Sequence, residues 1–248
     1  MARWFQANLA QMTMFGFLEP LDGVPPGKIY RLVGRNASSA EEMVCGIDPF
    51  AYISHLSAMA HYGLTDRLTK TVFYSSPPGA EWTRSAKEKM ARDLGDGLTT
   101  LHALDLPVLR RLLPSKLQGT QLSRHTSSHL GAYTRIRASN LRYSSLGRTF
   151  LDMVRQPDLC GGMRHVVSVY REYAGDYTRL ILDEALRNGR KIEQVRVGYL
   201  LDEVCGLSET RIEELLAASQ RGGSRKLDPS NEYDGVNFSE KWNLSINV

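Results

Sequence analysis

A proline and a pair of glycines separate two helical patterns in the middle of the chain, and this arrangement restricts the fold more than any other feature. Residues 141–170 read LRYSSLGRTFLDMVRQPDLCGGMRHVVSVY. Ser144 and Ser145 are typical helix N-cap residues, and apolar residues follow them at helical spacing. Pro157 removes a backbone donor and ends this first helix, while the glycines allow a sharp turn before a second apolar stripe. The segment therefore predicts two amphipathic helices joined by a tight corner.

Regular patterns of both kinds extend along the rest of the chain. A β-rich run at residues 71–76 is stopped by two prolines and predicts a strand, whereas residues 49–62 and 81–93 carry helical patterns. The elements predicted after the corner are helices at residues 163–174, 176–188, 198–205 and 209–220, the last with Ser208 as its N-cap, and a strand at 241–247. These patterns predict a mixed fold of the α/β or α+β class with a helical C-terminal half.

The first residues predict a helix followed by a hairpin, which is the second half of a winged helix-turn-helix. Residues 2–15 have apolar side chains on one helical face, and predicted strands at residues 17–21 and 28–33 flank the turn DGVPPG. In a winged helix this order corresponds to the recognition helix and the wing. The helices that normally precede a recognition helix have no room here. We therefore predict an incomplete winged-helix region at residues 1–46 and a larger mixed domain at residues 47–248.

Polar side chains of the N-terminal region are candidates for DNA contact. A recognition helix presents its polar face to the major groove, and basic residues of a wing lie near phosphate groups. The predicted DNA-binding residues are Arg3, Gln6 and Gln11 on the helix and Lys28 and Arg31 on the hairpin. The alternative is a structural cap whose polar face is merely solvated. Four acidic residues nearby weigh against DNA contact: Glu19, Asp22, Glu41 and Glu42.

The strongest charge asymmetry of the chain precedes and overlaps the central corner. Residues 106–151 contain no Asp or Glu and carry a charge of +8, against +4 for the whole chain. Within this span residues 133–138 alternate as a strand does, which places Tyr133 and two arginines on one face. The predicted contact residues of this basic surface are Arg135, Arg137, Arg142 and Arg148. Such a face binds nucleic acid or an acidic partner protein, and the alternative is a solvated sheet face.

No catalytic or metal-binding arrangement stands out in the sequence. His125 and His129 are separated by residues that disfavour a helix, and no carboxylate is near them in the chain. Adjacent acids such as Asp183 and Glu184 point in different directions on a helix. We predict that the chain is not an enzyme, with no catalytic residues, no metal and no cofactor.

The composition favours a cytoplasmic protein. The three cysteines are widely spaced and odd in number, which fits buried thiols in a reducing compartment. No apolar run is long enough to span a membrane, and no positively charged leader precedes an apolar core. We therefore expect no membrane association.

Several short motifs, in this order and spacing, resemble one protein family. They are Asp48-Pro49 with YISHLSAMAHYGL, then RTFLD (148–152), Pro157-Asp158, Gly161-Gly162 and RHVV (164–167), and finally RVGYLL (196–201), KLDP (226–229) and WNL (242–244). Over residues 28–248 the chain resembles the AbiEi family, the antitoxins of the type IV (AbiE, abortive-infection) toxin–antitoxin systems. No single motif is catalytic, so the resemblance rests on their combination.

The resemblance implies a function in phage defence. An AbiEi-like antitoxin would neutralise a cognate AbiEii-type nucleotidyltransferase toxin and repress transcription of its own operon. The expected partners are that toxin and the promoter DNA of the operon. Two other interpretations stay open: a toxin-interaction protein that does not bind DNA, and a cryptic metal-dependent nuclease whose carboxylates meet only in the folded chain.

Overall fold

The fold is a mixture of α-helices and short β-strands, as the sequence predicts. The computed structural model describes residues 2–22, 24, 29–34, 39–95, 97, 109–128, 132–219 and 225–248. The helices are α1 Ala2–Met14, α2 Ala40–Ile47, α3 His55–His61, α4 Gly79–Leu94, α5 Leu146–Arg155, α6 Met163–Asn188, α7 Lys191–Tyr199 and α8 Thr210–Leu216. The strands are β1 Leu18–Pro20, β2 Tyr30–Leu32, β3 Tyr52–Ile53, β4 Thr71–Ser76, β5 Lys116–Leu117, β6 Thr120–Thr126, β7 Tyr133–Arg135, β8 Arg142–Ser144, β9 Phe238–Ser239 and β10 Leu244–Ser245.

The chain forms two compact units, each built from separate segments. Unit 1 comprises Met1–Tyr52, Lys70–Leu130 and Ile136–Leu141, and the other segments, Ile53–Thr69, Gly131–Arg135 and Arg142–Val248, form unit 2. The sequence predicts a different division, into a winged-helix region at residues 1–46 and a mixed domain at residues 47–248. That division stays a prediction. Within the described residues, none of the helices combines the length and the apolar character that a membrane crossing requires.

Unit 1 contains the N-terminal helix, a small hairpin and a set of three strands. Strands β1 and β2 pair antiparallel with Glu19 opposite Arg31, which confirms the predicted order of helix and hairpin. Strand β4 pairs in parallel with β6, where Tyr74 lies opposite Arg124, and β5 pairs antiparallel with β6. A parallel pair needs a crossover connection, and α4 lies in the connection from β4 to β6.

Unit 2 contains a strand set and the main apolar core. Strand β8 pairs in parallel with β3 and antiparallel with β7. Helices α5 to α8 and the C-terminal hairpin enclose the core; its largest side chains include Trp242, Tyr170, Phe150, Leu151, Met153, Met163 and Ile181. Full burial of one large apolar side chain stabilises a fold by about 1.5–3 kcal/mol, so this cluster dominates the stability of unit 2.

The predicted corner is confirmed between α5 and α6. The side chain of Ser145 accepts a hydrogen bond from the backbone N–H of Arg148 and caps α5. Pro157 begins a 3₁₀ turn, Pro157–Cys160, that follows the helix. Gly161 and Gly162 then adopt φ values of 91° and 90°, which other residues rarely adopt. The serine, the proline and the two glycines of this corner therefore each meet a requirement of the backbone at their position.

The predicted helix at residues 49–62 is wrong in its first part. Tyr52–Ile53 is the strand β3, and the helix α3 begins only at His55, whose φ of 53° lies in the left-handed region. Ile53 pairs with Tyr143 of β8, far along the chain. This long-range pairing overrides an apolar spacing that is also compatible with a helix.

The helical C-terminal half is confirmed, although several boundaries differ. The helices predicted at residues 163–174 and 176–188 form one continuous helix, α6. Gly175, which separates them in the sequence, is exposed and lies inside this helix. The predicted helix at 198–205 is the end of α7 followed by a π-helical turn, Leu200–Val204. The N-cap of α8 is Glu209 instead of Ser208. The predicted last strand is limited to β10, which pairs antiparallel with β9.

The C-terminal hairpin β9–β10 packs against α7 at a glycine. A Cβ atom at Gly198 would lie 2.1 Å from the ring of Trp242, so only glycine leaves room for this indole. The indole Nε1 donates to Asp202 at 2.9 Å, and the hydroxyl of Ser239 donates to Glu203 at 2.6 Å. Both carboxylates belong to the π-helical turn. This turn and the glycine together hold the hairpin.

Candidate functional site

The candidate contact surface is one face of the β7–β8 hairpin in unit 2. In this antiparallel pair Tyr133 lies opposite Ser144 and Arg135 lies opposite Arg142. Because alternate residues of a strand share a face, Tyr133 and Arg135 point the same way, and their partners on β8 point with them. The hairpin therefore brings an aromatic ring and two guanidinium groups to one face.

The two arginines of this face lie against the same tyrosine. The Cζ atoms of Arg135 and Arg142 are each 5.9 Å from the centroid of the Tyr133 ring, within the range of a cation–π contact. Arg142 is buried, with 8% of its surface exposed, whereas Arg135 is exposed. Arg135 forms no ion pair with any carboxylate of the described residues. Its charge is therefore available to an anionic partner.

The opposite face of the hairpin fixes its position in unit 2. The ring of Tyr143 stacks on His61 at 3.7 Å between centroids with 5° between the planes. The hydroxyl of Tyr62 donates to the backbone oxygen of Ser144 at 2.8 Å, and burial raises the pKa of this hydroxyl. Sequence reasoning missed these three supporting residues, because His61 and Tyr143 are far apart in the chain and no local pattern links them.

Arg137 does not belong to this face, in contrast to the prediction. The strand β7 ends at Arg135, and Arg137 lies in the following turn, within the segment of unit 1. Ala138 in that turn has a φ of 59°, which a strand does not allow. The alternating pattern continues in the sequence, but the turn ends the alternation of side chains. Arg137 is exposed and remains a separate basic residue.

Arg148 also differs from the prediction, since it is a core residue. Only 2% of its surface is exposed, and its Nε donates to Asp152 at 2.8 Å, one helical turn further along α5. Asp152 also lies 3.8 Å from Arg155, which binds Glu193 through two hydrogen bonds of 2.7 Å each. Burial raises the pKa of Glu193, but the bonds from Arg155 and Arg190 outweigh it and the net pKa is lowered. Arg148 therefore supports the core of unit 2 and is not available to a partner.

The N-terminal candidates differ among themselves in accessibility. Arg3, Gln6 and Gln11 are exposed on α1. Arg31 forms an ion pair with Glu19, its direct neighbour across the β1–β2 hairpin. Lys28 lies outside the described residues. The structure thus leaves the helix candidates open to solvent and gives Arg31 an internal partner.

Large apolar side chains of the N-terminal region are also exposed. Trp4 and Met14 of α1 have exposed fractions of 69% and 75%, and Phe15 and Phe17 after the helix have 64% and 61%. A stable soluble surface rarely presents so many large apolar groups together. This helix is amphipathic by sequence, yet its apolar side chains are not covered within the described part of the chain.

Unit 2 also contains a cleft that could admit a small ligand. This cleft of 420 Å³ is lined by Tyr62, Thr134, Ser145, Leu146, Gly147, Leu180, Asp183, Glu184 and Arg187. Its acids already have partners, since Asp183 binds Arg211 at 2.7 Å and Glu184 accepts from Asn188 at 3.0 Å. Among the described residues, no group of three or more His, Cys, Asp or Glu side chains is arranged to hold a metal. We assign no ligand to the cleft.

No protein-family model matches the chain, and neither does a curated protein sequence. Among solved structures the chain is similar to one described as the crystal structure of RV2827C protein from Mycobacterium tuberculosis. The two share 15% sequence identity with a TM-score of 0.55, over 96% of this chain and 78% of that chain. At this identity the similarity concerns the fold alone, and it supports the mixed α/β architecture described above.

Proposed function

We propose that this protein is an AbiEi-like antitoxin that neutralises an AbiEii-type nucleotidyltransferase toxin. The observation that carries the proposal is the accessible Arg135 on the Tyr133 ring, an aromatic and basic face on a fixed hairpin. Arginine and tyrosine are enriched in protein–protein interfaces. Both side chains also donate hydrogen bonds to the phosphate oxygens of nucleic acids. We propose that this face contacts an acidic surface of the toxin or a nucleic acid on which the toxin acts.

The family motifs support this proposal, because in unit 2 they pack against one another as structural elements. Arg148 and Asp152 of RTFLD form a buried ion pair. Arg196 of RVGYLL donates to the backbone oxygens of Val154 and Lys226, and so joins the helix that carries RTFLD to KLDP. Gly198 of the same motif makes room for the ring of Trp242 in WNL. The motifs are thus parts of one core, as expected of a family defined by its fold instead of a reaction.

Growth rescue tests the antitoxin proposal directly. The full chain would be co-expressed with a nucleotidyltransferase toxin encoded next to it, alongside the variants Arg135→Glu and Arg179→Glu. Arg179 has 89% of its side chain exposed on α6 and serves as a matched charge reversal outside the face. We expect rescue by the full chain and by Arg179→Glu, and loss of rescue in Arg135→Glu. Failure of the unaltered chain to rescue growth would refute the antitoxin function.

We further propose that the N-terminal helix represses the operon by binding its promoter. The exposed polar residues Arg3 and Gln6 support this, since a recognition helix reads bases with such side chains. Gln6→Ala should weaken binding to promoter fragments by about 1–3 kcal/mol while leaving binding to unrelated DNA unchanged. Titration of both DNAs at a fixed salt concentration measures this, and equal losses on both would contradict base reading by Gln6.

A second candidate is a toxin-interaction protein that does not bind DNA. Two observations favour it: Arg31 is occupied by Glu19, and Trp4 and Met14 present apolar surface where a DNA-binding face needs charge. In this case the chain rescues growth, but promoter fragments bind no more tightly than unrelated DNA. The same two assays therefore separate the two candidates.

A further inference from the structure

A second group of arginines lies in unit 1, and the functions proposed above do not use it. Arg124 projects from β6 beside Tyr74 of β4, its direct neighbour across the parallel pair. Arg111 approaches the end of β4, where its NH2 group donates to the hydroxyl of Ser76 at 2.9 Å and to the backbone oxygen of Pro77 at 2.5 Å. Two basic side chains and a phenol therefore converge near the C-terminal end of parallel strands, where open α/β sheets commonly bind ligands.

Arg111 is held in one orientation by a buried carboxylate that it does not contact directly. Asp48, 3% exposed, accepts hydrogen bonds from the hydroxyl of Ser76 at 2.6 Å and from the indole of Trp82 at 2.9 Å. The guanidinium of Arg111 lies 5.9 Å over the ring of Trp82 and binds the same Ser76 hydroxyl. Asp48 thus orients the arginine through Ser76 and Trp82, while the Nε of Arg111 is left without a hydrogen-bond partner among the described residues.

Several donors of this group lack an acceptor within the described part of the chain. The Nε of Arg111 is buried and has no hydrogen-bond partner there, which is rare for a buried donor. The guanidinium of Arg124 and the hydroxyl of Tyr74 likewise make no hydrogen bond to a described residue, and Arg124 is exposed. These free donors belong to three side chains that converge on one place.

The charges of the group act on one another, which supports their proximity. Burial lowers the pKa of Arg111, the charge of Arg124 lowers it further, and Asp48 opposes both. Burial raises the pKa of the Tyr74 hydroxyl, and the charges of Arg124 and Arg111 oppose this. With two arginines and one engaged aspartate, the group has a net positive charge that an anion would neutralise.

We propose that Arg111, Arg124 and Tyr74 form a binding site for a phosphate group in unit 1. The donors come from three side chains, which suits a phosphate with its several acceptor oxygens better than a carboxylate with two. Arginine donors bind phosphate through charge-assisted hydrogen bonds, and the Nε of Arg111 and the guanidinium of Arg124 are donors that no described residue engages. The phosphate comes either from a small molecule or from a nucleic-acid strand, which present the same chemistry to this site.

Calorimetric titration of the full chain with pyrophosphate tests the site. The variants are Arg124→Gln, which removes an exposed charged side chain, and Arg111→Lys, which keeps the charge but removes the guanidinium and its Nε donor. Arg92→Gln is the matched control, since Arg92 is exposed at the far end of α4 and loses the same charge. We expect saturable binding that each site variant weakens about 10- to 100-fold, the effect of one hydrogen bond to a charged group, and no change in the control.

The source of the phosphate follows from two further titrations under the same conditions. Hexathymidylate with a 5′-phosphate and the same strand with a 5′-hydroxyl replace pyrophosphate. Preference for the phosphorylated strand identifies a terminal phosphate, equal binding of both identifies the backbone, and binding of pyrophosphate alone identifies a small molecule. Each result supports the site provided that Arg124→Gln weakens the observed binding by the factor given above. Absence of saturable binding to all three probes, or equal weakening in Arg92→Gln, would overturn the proposal, and neither result depends on growth rescue.

Discussion

Two regions of unit 2 use arginine in opposite ways. In the core, Arg148 and Arg155 lie among Asp152, Glu184 and Glu193, and nearly all of their polar atoms face protein. On the β7–β8 hairpin, Arg135 lies on Tyr133 in contact with solvent. A buried charge costs several kcal/mol unless it is paired, whereas an exposed charge contributes little to stability and remains free for a partner. Burial and pairing, more than residue type, therefore separate structural arginines from candidate contact residues.

The largest expected effect is the removal of one partner from the buried ion pair. Asp152→Ala leaves Arg148 as a buried charge whose nearest remaining acid, Glu184, is 3.8 Å away. We expect a loss of about 3–5 kcal/mol in the free energy of unfolding, measured by denaturant titration. The double variant Arg148→Met with Asp152→Leu removes both charges and should be markedly less destabilised. If the double variant is at least as unstable as the single one, the cost does not come from an unpaired charge.

The next effect concerns the glycine under Trp242. Gly198→Ala places a methyl group 2.1 Å from the present position of the indole, so the ring must move. Overpacking of this kind typically costs about 1–3 kcal/mol. Gly175→Ala is the matched control, because Gly175 lies inside α6 with no atom near its missing Cβ, and there alanine should stabilise the helix by about 0.5–1 kcal/mol. Thermal denaturation should shift in opposite directions for the two variants.

A smaller effect is a loss of stability as the pH falls below about 6.5. His55 is buried, with Ser54 on Nδ1 and Gln156 on Nε2, and burial lowers its pKa below the ordinary value of 6.5, opposed by Asp152. The unfolded chain therefore binds a proton first as the pH falls, and stability present above pH 6.5 is lost below it, by up to about 1.4 kcal/mol for each unit of pKa difference.

The control for this dependence is His55→Asn, since asparagine tolerates the left-handed backbone found there. Denaturant titrations at several pH values should give a smaller slope for this variant. His165 contributes to the remaining slope, since its pKa is also lowered by burial and by Arg67. An unchanged slope in His55→Asn would show that the histidine does not carry the effect.

The smallest effect on stability is expected at the exposed arginine. Arg135→Glu should change the free energy of unfolding by no more than about 0.5 kcal/mol, because the side chain is exposed and forms no ion pair with a described residue. The same variant should lose function in the rescue assay. A large loss of stability in denaturant titration would instead assign Arg135 to the structural class represented by Arg148.

Local signals in the sequence predicted much of the fold. The corner at Pro157 and the strand at Thr71–Ser76 depend on neighbouring residues, and both are confirmed. The strand Tyr52–Ile53 could not be predicted in this way, because only its pairing with Tyr143 distinguishes it from the start of a helix. Long-range pairing is invisible to local periodicity.

The candidate site was predictable only in part for the same reason. Tyr133 and Arg135 alternate in the sequence, and they share a face. The spacing of Arg148 and Asp152 by four residues was a usable signal for an internal ion pair, since such residues are neighbours on a helix. The group around Arg111 gave no signal, because residues 48, 76, 82 and 124 meet it only after folding.

The indole of Trp242 has a consequence for synthesis on the ribosome. Unit 2 needs Ile53–Thr69 early in the chain and the hairpin β9–β10 near residue 245 before its core is closed. The emerging polypeptide must therefore keep α5 to α8 without their final packing until that hairpin has left the exit tunnel. Domains form as units during translation, and partly folded ones expose apolar surface. The nascent chain therefore depends on its last hairpin before it can present a finished binding face to any partner.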